Sequence, residues 1–465
     1  MTGRAHSWTV AGPRMTPGIA MRIHRPLTVL GVVASAILCA WTGNRIVRAA
    51  ELKHAGEVSN IAAPRELERH NLEISAWSRA LAIDPGSAIS LGMLAALHLQ
   101  RARETGNDAD YLRAEEYARR SLSLRINRNA RTYVTLASTL MAEHRFAEAE
   151  SVAIRAVAYD PGVPQYLALL AEVRLELGEY ETARQAFDSL YRFRSTLSIA
   201  PRLARWEELN GHTGEAFHIL RAAVAAADTR VDLPTEQIAW FHYRLGDLEL
   251  RNGRFRRARH EFERGLKIEP GDYRILGGLA RLSLLVGDPD QAIAYGERAI
   301  AIKLDPATLG IMGDAFLAKG DSAAAEENLR TMEIAVRGQP GAYHRAWSLF
   351  LLDHDRRISE VYCKAVAELA TRKDIYGYDI VSWSLYKLGR PMEAAENLRA
   401  ALQLGTRDPL LYYHAGMIES ALGHHQQAIA FLAAALRINP RFDYTQQRLA
   451  RARLDSLMAT EVQAR

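Results

Sequence analysis

Cysteine is almost missing from this chain: only Cys39 and Cys363 occur in 465 residues. No disulfide framework can hold the fold, so packing has to. Proline is scarce as well, 16 in all, and most stand where helices are expected to end, which suits a largely helical chain. The motifs that place reactive groups are absent. There is no His-Glu-x-x-His for zinc, no Gly-x-x-x-x-Gly-Lys-Ser/Thr for phosphate, no Gly-x-Ser-x-Gly and no Gly-x-Gly-x-x-Gly. Acidic residues are missing from residues 1–50, which hold six arginines (Arg4, Arg14, Arg22, Arg25, Arg45, Arg48). Without those six, 53 basic residues face 54 acidic ones, so the formal charge of +5 belongs to the leader. The rest has no general attraction for polyanions, and nucleic acid is not an expected partner.

Long apolar runs are missing with one exception. Leu27–Trp41 is almost wholly apolar inside the uncharged stretch Pro26–Asn44, with arginines on both sides. A membrane span needs about 20 residues and a signal-peptide core about 7 to 15, and this run falls between the two. Residues 26–44 are therefore expected to be a signal or transmembrane segment, after a basic tail (1–25) and before a polar linker (45–63). Met21 offers a second start, with Met21-Arg22-Ile23-His24-Arg25 as a basic n-region, and Ala34-Ser35-Ala36 is an early cleavage site. Leu38 before Cys39 argues against lipid attachment. The arginines ahead of the segment favour a body on the far side of the membrane, inner-membrane anchored or extracytoplasmic.

What the chain has is a repeat. Between Ile375 and Pro440 a 34-residue unit occurs twice in register, Tyr378, Gly389, Ala394, Leu398 and Ala401 being answered by Tyr412, Gly423, Ala428, Leu432 and Ala435. The same alanine recurs at Ala149, Ala183, Ala216, Ala258, Ala292 and Ala325, in steps of 34, 33, 42, 34 and 33. Turn glycines at Gly178, Gly211, Gly253, Gly287 and Gly320 keep the phase, and His144 takes that place once. Such periodicity is the signature of stacked helical hairpins, none of which can bury its apolar face alone.

The spacing of aromatic, glycine, alanine, aliphatic, alanine and proline resembles the tetratricopeptide repeat over roughly Pro64 to Phe442. The resemblance implies an all-α, right-handed solenoid of about eleven hairpins, preceded by the membrane or signal helix. Its parts are an N-terminal array (64–227), an inserted loop (228–238), a C-terminal array (239–442) and a capping helix and tail (443–465), with Leu449, Leu454 and Leu457 on the cap's inner side. The turn at 105–108 is expected to protrude. Residues 340–372 form a divergent unit, with Ser359 at the place of the alanine and His354 at the place of the glycine.

First helices line the concave side in that family. Phasing puts Arg202, Arg205, Trp240, Tyr243, Arg244, Arg251, Arg274 and Arg281 there, and Tyr376, Trp383, Tyr386, Lys387 and Tyr413 nearer the C-terminus. Guanidinium groups beside rings suit an extended peptide with acidic groups. Glu172, Glu176, Glu208, Asp247 and Asp314 phase onto the same side, which would make it an ordinary mixed surface instead. Other constellations read more plainly: Cys363 as a small core residue, His414 as a helix-surface residue, His424 and His425 as solvated turn residues, Arg254–His260 as an outward face, and Ser384 with Lys387 as a chance match to a serine-lysine pair. The Asp353-His354-Asp355 triplet lacks the spacing of a metal site. The expectation is a scaffold for protein or peptide partners in bacterial envelope assembly or secretion, with no catalytic residue, cofactor, metal or small-molecule substrate. The alternatives are a cytoplasmic regulatory adaptor and an enzyme with a site near the divergent unit.

Overall fold

The computed structural model describes residues 66–337 and 345–463. The tail, signal or transmembrane segment and linker expected over 1–63 lie outside the described residues, as do 338–344 of the divergent unit. Among the described residues no helix is long and apolar enough to cross a membrane.

Every regular element described is a helix. α1 (Glu66–Ile83) is followed by ten hairpins. They are α2–α3 (Ala88–Thr105, Asp108–Leu124), α4–α5 (Ala130–Ala142, Phe146–Tyr159), α6–α7 (Pro164–Leu177, Tyr180–Leu190), α8–α9 (Ala200–Leu209, Thr213–Ala227) and α10–α11 (Thr235–Arg251, Phe255–Ile268). Then come α12–α13 (Tyr273–Val286, Pro289–Ile300), α14–α15 (Pro306–Ala318, Ser322–Arg337), α16–α17 (Arg345–Asp353, Ile358–Leu369), α18–α19 (Ile375–Lys387, Pro391–Ala401) and α20–α21 (Pro409–Ala421, His425–Ile438). α22 (Gln446–Gln463) ends the array. Neighbours in sequence pack on one another throughout, as in an α-solenoid.

Local chemistry sets the punctuation. Asp272, Asp305, Asp374 and Asp408 cap α12, α14, α18 and α20, their carboxylates accepting first-turn N–H groups that have no partner inside the helix. Gly106, Gly178, Gly211, Gly253, Gly287, Gly320, Gly389 and Gly423 turn the chain inside their hairpins with φ between +67° and +91°, a region open to glycine at little cost. His144 adopts it too, at +59°. The recurring alanines are all buried where the helices cross.

The divergent unit departs from its expected register. The left-handed places fall on Asp355 and Arg357, not on His354, so the turn is longer and α17 starts later. Ser359 is exposed, and Val361 with Ala365 are the buried positions. A β-branched residue now stands where the others have alanine, and α16 and α17 barely touch; α16 leans on α14 and α18. Three further expectations are corrected. The turn at Gly106 does not protrude, because the Lys303 side chain lies against it. Cys363 is exposed. On α22, Gln446, Ala450 and Leu457 face inward while Leu449 faces out.

First and second helices differ in surroundings. α18 buries almost every residue from Ile375 to Leu385, whereas α19 buries only Ala394, Leu398 and Ala401. The first helices are enclosed because the solenoid returns upon itself. Turns within early hairpins meet turns between late hairpins, nearly two hundred residues on. Lys303 Nζ reaches Asp108 at 3.4 Å. Arg372 donates to the Glu176 carboxylate at 2.8 Å and to its carbonyl at 2.9 Å. The Lys373 amide donates to the Leu177 carbonyl at 3.0 Å, and the Thr406 hydroxyl to the Leu209 carbonyl. Asn439 Nδ2 donates to the Leu250 and Arg251 carbonyls at 3.1 and 3.3 Å. Leu177 and Leu209 end α6 and α8, so their carbonyls lack intrahelical donors, while the Leu250 carbonyl in the last turn of α10 also accepts from the Gly253 amide at 3.0 Å. The second superhelical turn supplies donors to them.

Candidate protein-binding surface

The predicted concave residues divide into three groups. Tyr376, Trp383 and Tyr413 are buried and belong to the core, which corrects their placement on an open groove. Trp383 stacks on Tyr386 at 4.8 Å between centroids and on His414 at 4.2 Å, and meets Tyr413 edge-on at 5.5 Å. His414 is itself fully buried, not on a helix surface, with Nδ1 2.8 Å from Asp379 Oδ1. Tyr413 donates its hydroxyl to Gln446 at 2.7 Å. These rings seal the C-terminal third.

The second group is paired. Arg202 meets Glu172 at 2.6 Å, and Arg205 meets Glu208 at 3.4 Å. Arg251 joins Glu208 and, at 2.9 Å, Asp247. Arg274 bridges Asp272 and Glu236, and Lys387 meets Asp355 at 2.8 Å. Tyr386 lies under Trp383. The acidic residues that phase onto this side therefore neutralise most of its cations. Burial pushes the Glu208 and Asp247 carboxyls up, but the arginines around them, Arg251 foremost, together outweigh it and both titrate below the usual carboxylate range.

The third group is what remains. Trp240, Tyr243, Arg244 and Arg281 are all half-buried. The Arg244 guanidinium lies 6.0 Å from the Trp240 ring. Neither it nor Arg281 has a carboxylate within ion-pair distance among the described residues. Arg281 donates, at 3.5 Å, to the main-chain carbonyl of Phe442. Both lower the Asp247 carboxyl after Arg251, so the charge of three guanidinium groups acts on that one carboxylate. Tyr444, just beyond Phe442, packs against the clusters built by α10 to α12 and α12 to α14. The chain's own 442–444 segment thus lies on the concave side beside this group.

Sequence reasoning missed the other inward pole. Asp353 accepts the Trp383 indole N–H at 3.0 Å, and His354 Nε2 stands 2.9 Å from Asp314 Oδ1. Burial, then the charge of Asp443, pushes the Asp353 carboxyl up to about 7. Burial raises Asp314 too, helped by Asp443 and Asp353, and burial lowers His354. The signal was there in Asp353-His354-Asp355, but the three side chains diverge, to Trp383, Asp314 and Lys387. Ser384 and Lys387 also do different things: the Ser384 hydroxyl donates to the Ile380 carbonyl and Lys387 pairs with Asp355. Arg256, Arg257 and His260 face outward on α11. His424 and His425 are exposed at their turn.

The family model for the tetratricopeptide repeat matches residues 134–197, 243–307 and 382–441. No curated protein matches the sequence. Similar solved structures include the Cut9–Hcn1 hetero-tetramer of the APC/C, 13% identical over 84% of this chain and 93% of that one, with a TM-score of 0.33. PilW, a type IV pilus biogenesis factor, is 20% identical over 48% of this chain and 99% of its own, with a TM-score of 0.37. The human IFIT1 dimer with PPP-AAAA is 14% identical over 67% of this chain and 73% of that one, with a TM-score of 0.43.

Proposed function

We propose, from the premise that this chain is a tetratricopeptide-repeat protein, that it is a non-catalytic scaffold binding an acidic segment of a partner protein. The observation that carries the reading is the surplus of positive charge around Asp247. Arg244, Arg251 and Arg281 converge there, Arg244 has no carboxylate of its own, and Trp240 and Tyr243 supply ring faces beside it. A half-buried cation without a partner favours an incoming carboxylate, because charge-assisted hydrogen bonds gain strength as water is excluded. The Phe442 carbonyl on Arg281 marks where main chain can lie.

Arg244→Glu should abolish capture of partners from an envelope extract, with some loss of stability because the half-buried new carboxylate repels Asp247. Arg281→Glu should weaken capture too, with some loss of stability because Phe442 loses its donor. An unchanged partner profile for both variants removes these arginines from the site.

We place the protein at or beyond a bacterial cytoplasmic membrane, in envelope assembly or secretion, on the uncharged segment 26–44 and the arginines before it. A reporter that works only outside the cytoplasm, fused after Arg465, should be active. A silent reporter on a stable fusion overturns the placement.

A further inference from the structure

The eight left-handed glycines that lie inside hairpins fall into two sets. A Cβ added at Gly106, Gly178, Gly211 or Gly253 would meet Lys303, the Lys373 carbonyl, the Gly405 carbonyl or the Ile438 carbonyl. A Cβ added at Gly287, Gly320, Gly389 or Gly423 would meet nothing within 4 Å. The local turn is the same in both sets, so the difference is only whether another superhelical turn lies over it. Early hairpins are covered on this edge, and late hairpins present the same edge bare, with the end carbonyls of α12, α14, α18 and α20.

The opposite edge shows the reverse. Between late hairpins the connecting turns reach the early ones; Ile375 is buried and Ile438 half-buried, while Ile302 and Leu304 in the first of these turns are 36% and 46% exposed. Between early hairpins the corresponding turns carry bare aliphatic side chains: Ile83 is 87% exposed, Ile89 60%, Leu124 54% and Ile126 63%. One end of the array thus displays the carbonyl ends of its first helices, and the other end displays apolar side chains.

We propose that a second copy of this chain covers these edges, head to tail, so that the late turns of one copy seat on the 83–89 and 124–128 turns of the next. The contact continues the internal seam. An interface between unlike edges leaves one edge of each kind free, so it does not close at a dimer.

Sedimentation of the purified full-length chain tests this. The parent should form species that grow beyond a dimer as concentration rises toward the millimolar range. Ile83→Asp with Ile126→Asp blocks one edge, and Leu317→Asp with Met392→Asp blocks the other; all four side chains are exposed, so the melts should match the parent. Each double variant alone should be a monomer. Their equimolar mixture should give a dimer and nothing larger, because one good edge of each kind remains. A parent that stays monomeric, a parent that stops at a dimer, or a mixture that stays monomeric overturns the proposal. Assembly that survives in both variants also overturns it, by placing the contact elsewhere, for example in the leader.

Discussion

Gly211→Ala should cost several times what Gly423→Ala costs. Both residues have the same backbone, with φ of +77° and +80°, so an alanine pays the same left-handed penalty of about 1–2 kcal/mol at either place, offset in part by a stiffer unfolded chain. At Gly423 nothing more is added. At Gly211 the new methyl collides with the Gly405 carbonyl, which is main chain and cannot swing away. Thr406, the next residue, is hydrogen-bonded to the Leu209 carbonyl. Relief therefore requires the two superhelical turns to separate, and overpacking of this kind adds about 1–3 kcal/mol. The expected totals are about 2–5 kcal/mol for Gly211→Ala and about 1 kcal/mol for Gly423→Ala. Denaturant melts of the two variants decide it. Equal losses would mean that the turns do not touch in solution.

Asp353→Asn should raise the melting temperature above neutral pH and leave it unchanged in acid. The folded carboxyl titrates at about 7, against an ordinary value of 3.8, because it is buried and faces the charge of Asp443. Between those two values the folded state holds a proton that the unfolded chain has released. The contribution of Asp353 to stability is therefore greatest below about 4, falls as pH rises through the interval, and is lowest once the folded group ionises above about 7. Asparagine keeps an oxygen for the Trp383 indole and has no charge to desolvate. Asp314, Asp443, His354, His414 and Lys387 face the same place. Part of the shift is shared with those carboxylates, so the gain is put at about 2–4 kcal/mol near pH 8, from about 1.4 kcal/mol per unit. Equal melts for variant and parent near pH 8 would show that Asp353 ionises freely in the fold.

The sequence revealed what is local. A buried alanine every 33 or 34 residues and a left-handed glycine in the turns follow from contacts within one hairpin and its neighbour, and periodicity records such contacts directly. Phasing also put Arg244 and Arg251 on one side of α10, where both act on Asp247. It could not say whether that side is open. Trp383 and Tyr413 were read as docking rings because nothing in a single unit distinguishes a ring facing solvent from one packed against the neighbouring units. His414 failed for the same reason, since Asp379, its partner, lies one unit back. The divergent unit failed on register: one extra residue in its turn moved the buried place from Ser359 to Val361, and a single substitution pattern cannot show a shifted frame. The seam leaves no periodic trace at all, because Leu177 and Lys373 are nearly two hundred residues apart.

That seam also fixes how this array can change over generations. Repeat proteins ordinarily gain and lose whole units, since a solenoid of neighbours tolerates any number. Here a hairpin duplicated or deleted anywhere between α11 and α17 would slide Lys373 off Leu177, Thr406 off Leu209 and Asn439 off Leu250 together. The copy number is locked by the circumference, and only the stretches outside one full turn are free to lengthen.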